Sequence, residues 1–325
     1  MASVKQDEPE RIRVRRRDVE KGKLPWRVKF KAWWDGLEVQ FPSTKKNKEK
    51  KRGHNVRAPD PNKPWSEPRI DLVQQVWGEG FDRPGGADLV VELVKPLGLD
   101  SSMTVLDIGA GLGGGTRAIC NAFDVWITGL EQDPDLAQVG QELSNIAGMG
   151  KKAPIYQEDF ENLELKERGY DCIFSHETFF QVHNKSDLLH MIDHGLKPGG
   201  HLVFTDYLLA DVRSDTEDIQ AWRERETLMP HLWNVNDYRD VLKELKLDIR
   251  ISENITPRIV SAIKQGWAKY MEQAKHQGGL ENQGDLVMRE AELWMRRLKV
   301  LESGQVKMYR FHALKKSEGK LLSDW

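Results

Sequence analysis

Chemistry in this chain concentrates in one stretch, Val105-Leu106-Asp107-Ile108-Gly109-Ala110-Gly111-Leu112-Gly113-Gly114-Gly115, in which five of seven consecutive positions are glycine. Without Cβ atoms such a segment turns tightly and lets a ligand lie against its backbone. Placed after a strand, it sits at the carboxyl edge where open α/β sheets bind ligands. Gly109, Gly111 and Gly114 satisfy the dinucleotide spacing G-x-G-x-x-G. Asp107 separates two readings: a carboxylate two residues before the first glycine suits a cationic amino-acid group and would repel a pyrophosphate. Glu131, closing Gly129-Leu130-Glu131, stands 20 residues after Gly111, the distance at which an acid on the next strand reaches a ribose hydroxyl pair. Asp159 offers an acceptor for an adenine amino group and Phe160 a face for the ring, although Asp159 reads equally as a turn or helix cap.

Further candidates follow the later strands, in Phe174-Ser175-His176-Glu177-Thr178 and Thr205-Asp206-Tyr207. Eleven tryptophans are many for 325 residues. Trp65, Trp77, Trp222, Trp233 and Trp267 fall in segments that can lie over the sheet's carboxyl edge, where aromatic faces would cage a cation. The alternative is ordinary core, the use expected of Trp267 and Trp294 on helical stripes.

The elements that must position these residues alternate. Ser66 can cap a helix with Ile70, Val73, Val76 and Trp77 at helical spacing, and a second helix spans Gly86 to Leu97. Strands are expected at about 103–108, 124–130, 153–158, 170–175 and 199–206, separated by helical stretches. That order demands a parallel sheet with helices on both faces. Beyond it come a helix from Val235 to Leu245, a strand at about 247–252, and a helix opened by Thr256-Pro257. A helix capped by Asp285 and stopped by Gly304 follows, then a last strand from Gln305 to Leu314. The fold class is α/β, a doubly wound, mostly parallel seven-stranded sheet with a basic N-terminal extension and helical insertions near the C-terminus.

Charge divides the chain. Residues 1–63 hold 19 Lys/Arg against 9 Asp/Glu, and the rest 30 against 42. In the first part Arg11 to Arg17 and Lys45 to Arg52 flank Trp26, Phe30, Trp33 and Trp34. This segment reads either as a partly disordered extension whose tryptophans pack back on the body, or as an anchor for an anionic membrane surface. Prolines from Pro59 to Pro68 mark the junction with a main domain at 64–325, in which about 211–303 forms a helical lid on the acceptor side. Cys120 and Cys172 sit in apolar stretches, which disfavours a disulfide framework or a metal site. With no apolar run long enough for a bilayer and no secretory leader, a cytoplasmic location is expected.

The series VLDIGAGLGGG, TGLE, EDF, YDCIFSHE and LKPGGHLVFTDY resembles the class I S-adenosylmethionine-dependent methyltransferases over roughly residues 66–314. Within them WGEGFDRPGG, DIGAGLGGG and TDYLL are most similar to the phosphoethanolamine and sarcosine/dimethylglycine N-methyltransferases. The resemblance implies S-adenosylmethionine as cofactor and a small-molecule acceptor, an amine nitrogen or a thioether sulfur. It assigns Asp107, Gly109, Ala110 and Gly111 to the methionine end, Glu131 and Gln132 to the ribose, Asp159 and Phe160 to adenine, and His176 to the cofactor's vicinity.

The acceptor side departs from the family pattern. Positions held there by a Tyr/His pair are Trp65 and Gln181 here, which argues against phosphoethanolamine as the substrate. Tyr207 matches a position used for the substrate's phosphate, and His183 reads as a solvated loop residue. Neither Trp65 nor Gln181 can take a proton at neutral pH, so the acceptor is expected to be already neutral and nucleophilic, its cationic product favoured by Trp65 and Glu177. Asp107 disfavours a nicotinamide enzyme. Nucleic-acid methylation lacks its adenine-flipping Asn-Pro-Pro-Tyr motif. A phospholipid head group as acceptor and a non-catalytic cofactor-binding module are the remaining alternatives.

Overall fold

The computed structural model describes residues 11–13, 28, 34, 38–40, 63–210, 215–276 and 284–317. Most of the N-terminal extension, including Trp26 and Trp33, therefore lies outside the described residues. Its described parts include two three-residue strands, Arg11–Arg13 and Glu38–Gln40, paired in parallel, and Trp34, whose ring packs against the body 6.4 Å from that of Trp267.

The strands of the body are β1 (Thr104–Ile108), β2 (Trp126–Glu131), β3 (Ile155–Gln157), β4 (Tyr170–His176), β5 (Leu196–Leu209), β6 (Leu247–Asn254) and β7 (Val306–Lys315). They form one sheet in the order β3-β2-β1-β4-β5-β7-β6, in which β7 runs antiparallel to both its neighbours and the other pairings are parallel. The helices are α1 (Glu67–Trp77), α2 (Gly86–Val94), α3 (Gly114–Phe123), α4 (Pro134–Ile146), α5 (Lys185–Gly195), α6 (Glu217–Arg223), α7 (Val235–Glu244), α8 (Thr256–His276) and α9 (Gly284–Glu302). The expected doubly wound, mostly parallel seven-stranded fold is the one found.

Alternation along each strand feeds two cores. On β5, Val203 and Tyr207 join α1, α2, α8 and α9, whereas Leu202, Phe204 and Leu208 face the core under α5 and α7. Because helices cover both faces, β1 is apolar on both sides, and its residues Val105, Leu106 and Ile108 are all fully buried. The sheet order reverses at β1, between β2 and β4, so the crevice for a ligand opens above the carboxyl ends of these three strands.

Several expected boundaries shift for local reasons. The second helix stops at Val94, and Pro96 falls in a 3-10 turn, Lys95–Leu97, because its ring removes a donor and crowds the preceding turn. Ser66 does stand at the N-cap of α1, but it offers its backbone carbonyl, to Arg69 and Ile70, rather than its hydroxyl. Asp285 lies inside the first turn of α9, which begins at Gly284. The stretch 211–303 is mixed: α9 and residues 226–228, after α6, line the crevice, whereas β6 completes the sheet with α7 packed on it.

Candidate active site

The turn after β1 requires glycine at Gly109 and Gly111. Gly109 has φ +84°, and a Cβ there would stand 1.9 Å from Thr178 Oγ1; Gly111 has φ +55°, and its Cβ would stand 2.3 Å from Asp82 Oδ1. The backbone amides of Gly109 and Ala110 donate to the carbonyl of Leu130 at 2.8 and 2.9 Å, locking the turn to the end of β2. Glu131 finishes the job from the side chain: Oε2 accepts from Gly111 N at 2.7 Å and Oε1 from Asp133 N at 2.9 Å. Burial nevertheless raises the Glu131 carboxyl to about 7, against these hydrogen bonds and the charge of Arg83.

Asp107 is buried beneath the turn. Its Oδ2 accepts from Thr116 Oγ1 at 2.7 Å, and burial lifts its carboxyl to about 6 although Thr116 and Arg83 pull the other way. It borders a small hollow together with Gly109, Ala110 and His176. Arg83 and Asp82, paired at 2.9 Å, stand between this hollow and a larger cavity of about 260 Å³. That cavity is reached by Gly109, Glu131, Gln132 and Phe160 from one side and by Trp65, Glu177 and Gln181 from the other. Among the residues assigned in sequence to the cofactor, Asp159 stands apart. It is exposed and caps a 3-10 turn, accepting from Glu161 N at 3.0 Å and Asn162 Nδ2 at 2.7 Å.

The centre of the cavity is Glu177. It follows β4 directly with φ +52°, a left-handed conformation that an L residue other than Asn or Asp adopts at a cost of order 1 kcal/mol. Thr205 of the neighbouring strand holds it there: Glu177 N donates to the Thr205 carbonyl at 3.0 Å and lies 3.2 Å from its hydroxyl. The Tyr207 hydroxyl donates to Glu177 Oε2 at 2.8 Å, so this phenol orients the carboxylate instead of facing a substrate. Burial, reinforced by the charge of Glu177, holds Tyr207 well above its ordinary pKa, and it remains a donor. Glu177 Oε1 is buried without a hydrogen-bond partner, 3.6 Å from the equally unpartnered His176 Nε2. Burial lowers the pKa of His176, whose Nδ1 lies 2.7 Å from Thr205 Oγ1, and keeps the ring neutral near pH 7.

Two ion pairs that no local pattern announces complete the wall. Arg297 of α9 grips Glu226 with two parallel bonds of 2.6 and 2.7 Å, and Trp222 Nε1 donates to the same carboxylate. Arg69 of α1 meets Glu290 of α9 at 2.9 Å, lies 4.0 Å over the Trp65 ring, and donates to Thr227 Oγ1 at 3.1 Å. Trp294 Nε1 donates to Glu290 Oε1 at 3.1 Å. The only sequence hint is Glu290 and Arg297 flanking Trp294 at helical spacing, charges set into an apolar stripe.

The tryptophans divide accordingly. Trp77, Trp222 and Trp267 are buried in the core, whereas Trp65 and Trp294 reach the cavity. His183 is exposed in a separate hollow, its Nδ1 3.3 Å from that of His231. Cys120 and Cys172 are both free and buried, and among the described residues no cluster of His, Cys, Asp or Glu is arranged to hold a metal. No described helix is long and apolar enough to cross a membrane.

The donor set suits S-adenosylmethionine: a buried carboxylate for an ammonium, a second with lone pairs to spare for ribose hydroxyls, and an apolar ring in Phe160. Comparison with known proteins agrees. The chain is 27% identical over 192 residues to phosphoethanolamine N-methyltransferase 3 of Arabidopsis thaliana, a match covering 59% of this chain and 38% of that protein, so the chain spans well under half the length of this relative. In fold it is similar to phosphoethanolamine N-methyltransferase 2 of Haemonchus contortus in complex with S-adenosyl-L-methionine (TM-score 0.67, 21% identity, 76% of this chain and 57% of that one). A putative sarcosine dimethylglycine methyltransferase from Galdieria sulphuraria is also similar in fold (TM-score 0.64, 19% identity, 77% and 99%). The family model for a methyltransferase domain matches residues 83–250, more than half of the sequence, including the glycine turn, Asp107, Glu131 and Glu177, and the chain belongs to that family.

Proposed function

We propose that this chain transfers the methyl group of S-adenosylmethionine to the nitrogen of a small amine. The observation that carries the reading is Glu177: a buried carboxylate in a left-handed backbone, one oxygen oriented by Tyr207 and the other unpartnered, in a cavity that also reaches Gly109 and Glu131. S-adenosylmethionine supplies a methyl group on a cationic sulfonium. Asp107, Glu131 and Phe160 would hold its methionine, ribose and adenine parts; Gly109 and Gly111 let it lie against the backbone. Methyl transfer is an in-line displacement, so the chain's main tasks are to align the acceptor lone pair and to exclude water.

Positive charge grows on the acceptor nitrogen during that displacement. Glu177 stabilises it across a short, desolvated gap, and the faces of Trp65 and Phe180 add to the effect. Tyr207 stays protonated and Gln181 and Trp65 cannot accept a proton; on this reading the acceptor enters as the free base, and Glu177 acts by its charge. Relatives named for phosphoethanolamine and for glycine, sarcosine and dimethylglycine support an amine nitrogen over a sulfur. Incubation with labelled S-adenosylmethionine and a panel of amines and thioethers tests the reading. Label should pass to amines, and passage to thioethers alone would overturn it.

The reading extends to place. Two buried free thiols suit a reducing cytoplasm. The surplus of Lys/Arg before residue 63 would hold the enzyme peripherally at an anionic membrane surface. Deleting residues 1–58 should then abolish binding to anionic vesicles and spare cofactor binding; equal partition of both forms would refute the anchor.

A further inference from the structure

The acceptor side of the cavity carries three carboxylates, Glu177, Glu226 and Glu290, and two guanidinium groups, Arg69 and Arg297; a third, Arg83, reaches the backbone beside Glu177 and is paired with Asp82. The pairing among them is unequal. Arg297 and Glu226 are 9% and 2% exposed and joined in the fork geometry that Arg makes with carboxylates, the same geometry an incoming phosphate or carboxylate would require. Arg69 and Glu290 are 14% and 5% exposed and joined by one contact, Nε to Oε2 at 2.9 Å, while Arg69 Nη1 donates to the Pro64 carbonyl and Thr227 Oγ1. Trp222 and Trp294 each donate an indole N–H to the acid of one pair, fixing that acid against its arginine. Glu177, 2% exposed, faces the neutral His176 and the Tyr207 hydroxyl, and its Oε1 has no partner.

We infer that the acceptor is an amine whose remainder bears no acidic group, because the chain's own Glu226 and Glu290 already hold the guanidinium groups that would read one. The inference rests on the methyltransferase reading above and narrows its substrate class. An anion entering this pocket must either displace Glu226, leaving a buried carboxylate without a counter-charge, or sit beside three carboxylates with both arginines engaged; both are costly. A cation meets a different situation: Glu177 Oε1 has no hydrogen-bond partner and lies in the same cavity, while Arg69 and Arg297 already cover one face each of Trp65 and Trp294. The same reasoning bars a phospholipid head group, whose phosphate adjoins its amine. In this respect the pocket differs from what a phosphorylated amine needs, although the relatives named for such a substrate share its fold.

The test uses the full chain and two probes, choline for the cationic product and inorganic phosphate for an acidic acceptor. Each is titrated calorimetrically into protein loaded with S-adenosylhomocysteine. Wild type should bind choline at least tenfold more tightly than phosphate. Glu226→Gln, which releases Arg297, should gain at least tenfold in phosphate affinity and keep its affinity for S-adenosylhomocysteine. Wild-type protein that prefers phosphate, or a folded Glu226→Gln protein that gains nothing for phosphate, overturns the inference and leaves the methyltransferase reading standing. Protein that takes up no S-adenosylhomocysteine overturns both. Should Glu226→Gln fail to fold, the wild-type titration decides, together with wild-type turnover of ethanolamine against phosphoethanolamine: the first must exceed the second.

Discussion

The two ends of the cavity are made in different ways. The cofactor end is a single chain segment with its next-door strand: Asp107, the glycine turn and Glu131 lie within 25 residues and are tied by backbone hydrogen bonds from Gly109, Ala110 and Gly111. The acceptor end is assembled from far apart. Arg69 and Glu290 are separated by 221 positions and Arg297 and Glu226 by 71, and the contacts between them are side chain to side chain. A backbone-built site accepts one ligand and tolerates little change, whereas a side-chain-built site can be altered one residue at a time without disturbing the fold. The contrast accounts for a cofactor end that reads as a local motif beside an acceptor end that does not.

The sharpest way to break this comparison is at Glu177, where acceptor-end chemistry is set on rigid backbone. Glu177→Gln keeps the shape and the Tyr207 contact but removes the charge, and should lower kcat about 100-fold, on the scale of losing one charged stabiliser of a transition state, ~2.7 kcal/mol. Cofactor affinity measured by calorimetry should stay within about threefold, well below the tenfold that 1.4 kcal/mol represents. A kcat near wild type would remove Glu177 from the reaction.

Legibility in the sequence follows the same division. The glycine turn, Asp107 and Glu131 could be read because their spacing is local and each type has one physical reason to be there. The sheet could be read because strands buried on both faces are apolar runs between helical stripes. The left-handed Glu177 could not, since it depends on Thr205 of another strand. Tyr207 was visible as a strand-end tyrosine, but its task of orienting Glu177 emerges only when β4 and β5 pair, His176 against Thr205. Trp294 read as core from its stripe and proves to be both core and cavity wall. Glu226 carried no signal beyond being charged, and Arg297 only its place in the apolar stripe of α9.

At the cofactor end the effects should appear in binding. Asp107→Ala and Glu131→Ala should each weaken S-adenosylmethionine by about 1–3 kcal/mol, the scale for losing a charge-assisted hydrogen bond. Wild-type affinity in both variants would dissolve the assignment of this end.

A smaller effect sharpens the role of Asp107. Its free-state pKa is raised to about 6 by burial, and an ammonium bound beside it would lower that value. The carboxylate form is needed for binding, so the share of affinity owed to Asp107 is full above pH 7 and is lost as the pH falls through 6. The expected decline is ~tenfold at pH 5 relative to pH 8 from this group alone. Asp107→Asn should remove that share of the slope, leaving the part owed to Glu131, which titrates near 7. A slope unchanged in Asp107→Asn would mean that the proton goes elsewhere.

The smallest effect concerns Asp159, a cofactor-end residue that the structure sets outside both the cavity and the hollow beside it. Both its carboxylate oxygens are occupied in capping the turn that carries Phe160, and the side chain is exposed, so any aid it gives to adenine passes through the placement of that ring. Asp159→Ala should therefore lower stability by about 0.5–1 kcal/mol, the worth of a cap at an exposed turn, and change S-adenosylmethionine affinity by less than a few fold. Phe160→Ala, by contrast, removes a buried ring from the cavity wall and should weaken the cofactor more than Asp159→Ala does. The opposite ranking, with Asp159→Ala costing tenfold or more in affinity at unchanged thermal stability, would show that the carboxylate swings in to the adenine amino group. The cofactor end would then share the dispersed, side-chain construction of the acceptor end.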